Sequence, residues 1–124
     1  MWLAGLGLYF AALRPPLLAE DLRFMSTTLL QVQATIPGLA GWLKTVFTVM
    51  GGFMAGAGVL TAFFAIRVIP LRIDGTAWVI ALSGLLTVAM MSGANFALDS
   101  DFRWLLLMPA SLWLAAFVLY VAKR

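Results

Sequence analysis

Between Lys44 and Arg67 the chain runs 22 residues, Thr45 to Ile66, without a single charge. As a helix that stretch reaches about 33 Å, enough to cross the roughly 30 Å hydrocarbon core of a bilayer. It also carries small residues at Gly51, Ala55, Gly58, Ala62 and Ala65, spaced 4, 3, 4, 3, so that they share one helical face. Gly52 and Gly56 form a GxxxG pair beside them. In water each mid-helix glycine costs about 1 kcal/mol relative to alanine. In lipid the hydrated unfolded alternative is missing, and lipid tails give apolar side chains little reason to associate, so close backbone approach supplies the dispersion contacts instead. The stripe therefore predicts a helix that lets its neighbours' backbones come near, either within this chain or across a homo-oligomer seam.

Composition agrees with a hydrocarbon solvent. Hydrophobic residues make up 64% and charged residues 10%, at a mean hydropathy of +1.04, against about 45–50% and about 25% in soluble domains. The formal charge of +3 is scattered along the chain, which does not suggest nucleic acid as a partner. Cysteine and histidine are both absent. Disulfides, thiol chemistry, iron–sulfur ligation, histidine-ligated haem and the commonest proton shuttle go with them. No cofactor or metal is expected. No nucleophile–base pair is available, and no acid or base lies deep in an apolar segment, where a proton-coupled transporter needs one. The expectation is a protein that is not an enzyme.

Taken in order, residues 1–13 are apolar but short for a crossing, consistent with a tilted first span or one lacking upstream residues. Gly7 and Ala11 give it a small face toward the second span. Arg14-Pro15-Pro16 ends it, because the residue before a proline is pushed out of the helical region. Leu18, Leu22, Met25, Leu29, Val32 and Ile36 then recur at 4, 3, 4, 3, 4, with Glu20, Asp21, Arg23, Thr27 and Gln31 elsewhere on the wheel. This predicts one amphipathic interfacial helix over about 17–35, too polar to span. Pro37-Gly38 separates it from a second span over about 43–68, which Pro70 ends. A third span follows over about 75–97, with Ala77, Ala81 and Gly84 as a small face toward the second, and a fourth over about 102–122. Pro109 interrupts the fourth and removes the donor for the Leu105 carbonyl, while Ser111 is placed to bond back to Leu107. The fold class expected is all-α: one domain, an integral membrane bundle of four transmembrane helices plus the interfacial helix.

Four crossings place both termini on one side, read as cytoplasmic; Trp2 and Trp78 then mark one interface, Trp42 and Trp104 the other. At one end Ser92, Asn95 and Asp99 share a helical face. With Glu20, Asp21 and Arg23 on the same side, they outline a polar mouth that could hold a cation or a headgroup. The plainer reading is that Asn95 bonds to a neighbouring helix and the acids are solvated turn residues. Met50 and Met54, and the Met90-Met91 pair, read as core filler.

The segments Arg14-Pro-Pro-Leu-Leu-Ala-Glu-Asp-Leu-Arg-Phe-Met25, Val49-Met-Gly-Gly-Phe-Met54 and Asn95-Phe-Ala-Leu-Asp-Ser-Asp-Phe102 resemble a group of small four-helix bacterial inner-membrane proteins of unassigned function. The resemblance covers most of the chain. It implies a multi-pass protein of the bacterial inner (plasma) membrane whose first helix starts upstream, and it carries over no functional residues. The function expected is a small non-enzymatic membrane protein in contact with membrane lipid, acting through helix packing on Gly51, Gly52, Ala55, Gly56, Gly58 and Ala62, as a homo-oligomer or part of a larger membrane complex. The alternatives are a small transporter or channel with its mouth near Asn95 and Asp99, and a lipid-binding protein.

Overall fold

The computed structural model describes residues 2–123, and every regular element among them is helical. The chain divides into two compact units, one up to Arg67 and one from Val68 onward. Each is described by itself.

The first unit contains α1 (Trp2–Ala12), α2 (Ala19–Phe24), α3 (Leu29–Thr35) and α4 (Leu39–Arg67). Over its 11 described residues α1 is about 16 Å long, less than the hydrocarbon core of a bilayer. It packs along α4. A short 3₁₀ turn, Ile69–Leu71, follows α4; the apolar helical run Leu39–Leu71, Thr76–Ala97 and Arg103–Ala122 are each long and apolar enough to span. There are thus three candidate spans among the described residues rather than the four expected. The placement of both termini on one side depends on four crossings, and three do not carry it.

The interfacial helix expected over 17–35 is two helices. Its break is a helix stop followed at once by a helix start. Ser26 adopts a left-handed conformation (φ 53°), the Ser26 amide donates to the Arg23 carbonyl and the Thr27 amide to the Leu22 carbonyl, both at 3.1 Å. That is a Schellman closure of α2 with serine where glycine is usual. Thr28 then caps α3. Its Oγ1 accepts the Gln31 amide at 3.3 Å, while Gln31 Oε1 accepts the Thr28 amide at 3.0 Å, a reciprocal capping box. The apolar spacing ran through this junction unbroken, but four satisfied backbone groups outweigh it locally. Pro37-Gly38 separates α3 from α4, which starts at Leu39, four residues before the expected point.

In the second unit, α5 (Thr76–Gly84) passes through a widened π-turn at Leu85–Ala89 into α6 (Met90–Ala97), and α7 (Arg103–Ala122) packs back along this composite helix. The hairpin turn repeats the Schellman closure: Asp99 is left-handed (φ 51°), its amide donates to the Phe96 carbonyl at 3.2 Å and the Ser100 amide to the Asn95 carbonyl at 2.9 Å. Buried Ser100 accepts the Phe102 amide at 3.2 Å, and Phe96 meets Trp104 edge to face at 5.3 Å. At the other end Arg72 donates to the Tyr120 carbonyl at 3.3 Å and lies 5.0 Å from that ring. A cation there suits the negative C-terminal end of α7. Pro109 lies inside α7, and the Ser111 hydroxyl donates to the Leu107 carbonyl at 3.1 Å.

Candidate functional site

The glycines of α4 fall on two faces with different fates. Gly51 and Gly58 are buried against α1. A Cβ on Gly51 would stand 2.9 Å from Ala11 Cα, and one on Gly58 would stand 2.7 Å from Ala4 Cα. From the other side, a Cβ on Gly7 would stand 2.6 Å from the Gly51 carbonyl oxygen and meet the Ala55 backbone amide. The stripe and the face on α1 thus interlock backbone to backbone, which no larger residue permits. Ala55 and Ala62 on the same stripe are half-buried. Thr48 Oγ1 closes the far end, within hydrogen-bond reach of the Ala11 carbonyl at 3.3 Å and the Lys44 carbonyl at 2.9 Å.

Gly52 and Gly56 sit one position round the helix, about 100° away. Both are exposed, and a Cβ on either would meet nothing within 4 Å. Within the first unit they floor a shallow apolar groove whose walls include Val49, Phe53 and Leu60. Phe53 is 78% exposed and Leu60 70%. Aromatic and aliphatic surface of this kind is at home in hydrocarbon or against another apolar helix.

Arg14, at the expected end of the first helix, locks the corner between α1 and α2. Its side chain is 9% exposed. The guanidinium lies 3.9 Å from the Phe47 ring centre and 5.3 Å from that of Phe10, rings that themselves meet edge to face. It donates to Asp21 Oδ2 at 3.3 Å and to the Pro15 carbonyl at 3.0 Å. The same Asp21 oxygen accepts the Leu18 amide at 2.8 Å, at the start of α2. A guanidinium held close over one ring, near a second, and paired with one carboxylate is a packing element. An Arg before Pro-Pro with an acid seven residues on was the available signal, but nothing local points Arg14 toward Phe47.

No family model, curated protein or solved structure matches this chain.

The residues of the expected polar mouth lie in two units. Glu20, Asp21 and Arg23 belong to α2 in the first, with Asp21 engaged as above and Arg23 exposed. Ser92, Asn95 and Asp99 belong to the second. The Asn95 amide donates to the Met91 carbonyl of its own helix at 2.8 Å, so it does not supply the expected bond to a neighbouring helix. Buried Ser92 supplies one instead, donating to the Leu106 carbonyl of α7 at 2.7 Å. Asp99 is the left-handed residue of the hairpin turn and is ion-paired with Arg103. Gly84, expected to face the second span, receives the Trp113 indole of α7, whose N–H donates to the Ile80 carbonyl at 2.8 Å. A flat ring with one donor needs both a missing side chain and an acceptor, and the Ile80–Gly84 turn provides the two together.

Proposed function

We propose that this chain is a small non-enzymatic integral membrane protein of a bacterial inner membrane that acts through helix packing, as a homo-oligomer or as an accessory subunit of a larger complex. The observation that supports this reading is the division of labour on α4. One glycine face is consumed by α1, whereas the Gly52–Gly56 face has the same capacity for close backbone approach and stays uncovered within its unit. Small-xxx-small faces are the usual means by which apolar helices associate in lipid.

The test is a pair of substitutions read by native mass spectrometry and native gels of the protein in mild detergent. Gly52→Ile adds bulk where the first unit has room, so it is expected to leave the fold in place and dissociate any larger species. Gly58→Ile drives a side chain into Ala4 and is expected to unfold the α1–α4 pair. A Gly52→Ile protein with the parent's mass and stability overturns the proposal.

A further inference from the structure

Two anchors tie the composite helix of the second unit to α7. Near its start, Trp113 lies against Gly84 and donates to the Ile80 carbonyl at 2.8 Å; near its end, Ser92 donates to the Leu106 carbonyl at 2.7 Å. Ser92 lies eight residues beyond Gly84, whereas Leu106 and Trp113 are only seven apart. In an unbroken α-helix, seven residues return to within about 20° of the starting face, and eight overshoot it by about 80°. Ser92 should therefore be turned about 80° from the Gly84 face, and Met91 should occupy its place. Yet Ser92 is buried and donates to the Leu106 carbonyl of α7.

The π-turn resolves the mismatch. Over Leu85–Ala89 the bonding widens to five residues, with the Met90 amide donating to the Leu85 carbonyl. The Ser83 carbonyl at its entrance is satisfied by the Thr87 hydroxyl at 2.6 Å. Such single widened turns take up one extra residue without ending the helix. α7 is α-helical throughout the facing interval, despite Pro109, and holds no matching surplus.

We propose that the π-turn is a register device: it absorbs one residue between the two anchors and so turns the polar face of α6, which carries Ser92 and Asn95, by about 100° toward α7. Removing the spare residue heals the helix without moving either anchor. The sequence contains no cysteine or histidine to complicate handling of variants.

The test uses single-residue deletions in the full chain, with thermal unfolding in detergent as the readout. Deleting Leu86, an exposed residue of the π-turn, is expected to keep the parent's thermal midpoint. Deleting Ala110, between the anchors on α7 where there is no surplus, is expected to lower it. Ser92→Ala reports on the distal anchor: it should lower the midpoint equally in the parent and the Leu86 deletion, and should have no effect in the Ala110 deletion. Deletion of Val88 repeats the test at a second position in the turn. The proposal is overturned if both π-turn deletions destabilise as much as the Ala110 deletion or fail to fold. Silence of Ser92→Ala after a π-turn deletion overturns it equally.

Discussion

Replacing Gly58 and Gly52 by alanine, one at a time, should have unequal effects on stability, with only the Gly58 variant destabilised. The two residues lie on the same helix, in the same apolar setting, and the chemical change is one methyl group in each case. At Gly58 the new Cβ would stand 2.7 Å from Ala4 Cα. Ordinary carbon contacts begin near 3.5 Å, so α1 must retreat by roughly 1 Å. A gap of that size forfeits a quarter to a half of each contact's attraction. For on the order of 50 heavy-atom pairs at about 0.15 kcal/mol each, the loss is roughly 2–4 kcal/mol. Alanine's better helix propensity returns at most about 1 kcal/mol, leaving Gly58→Ala destabilising by about 1–3 kcal/mol. At Gly52 nothing within the chain lies within 4 Å of the new Cβ, so in the micelle-dispersed monomer only the propensity term operates and the variant is level with the parent or up to about 1 kcal/mol more stable. Reversible unfolding in mixed micelles, followed by far-UV circular dichroism, measures both. Equal effects at the two sites, or a stabilised Gly58→Ala, would refute the claim that the α1–α4 contact depends on backbone proximity.

Two further predictions concern the short helices. Arg14→Met keeps the apolar stem but removes the contact with the Phe47 ring and the pairing with Asp21; at this nearly buried position it should cost about 1–2 kcal/mol in the same unfolding assay, with Arg14→Lys recovering only part. Thr28→Ala deletes the cap of α3. It should cost about 1 kcal/mol of local stability, seen as faster amide exchange confined to Leu29–Thr35.

Much of the architecture could be read from residue order because its causes are local. Pro15-Pro16 and Pro70 stop the helices before them by local sterics, which is why the C-terminal ends of α1 and α4 were predictable within a few residues. The break at Met25–Thr28 was also written locally, as Thr28-Leu-Leu-Gln31, a capping-box signature. The apolar spacing of Leu18 to Ile36 obscured it, because a regular period says which residues share a face but does not count hydrogen bonds at a junction. Ser26 and Asp99 gave no warning of their left-handed conformations, since glycine is the usual occupant and serine is a rare substitute there.

The sequence by itself determined the long uncharged apolar runs, which as helices satisfy their own backbone and are compatible with a hydrocarbon solvent. It also marked α4 as a helix made for close approach. Only the tertiary structure decided which of its two adjacent glycine faces α1 would take, that Gly84 receives Trp113, and that a π-turn rather than a straight helix carries Ser92 to α7. The physical reason is that hydropathy and propensity add up along the chain, whereas the partner of a face is chosen by residues far away in it. A difference of one position, about 100° of rotation, is enough to change that choice.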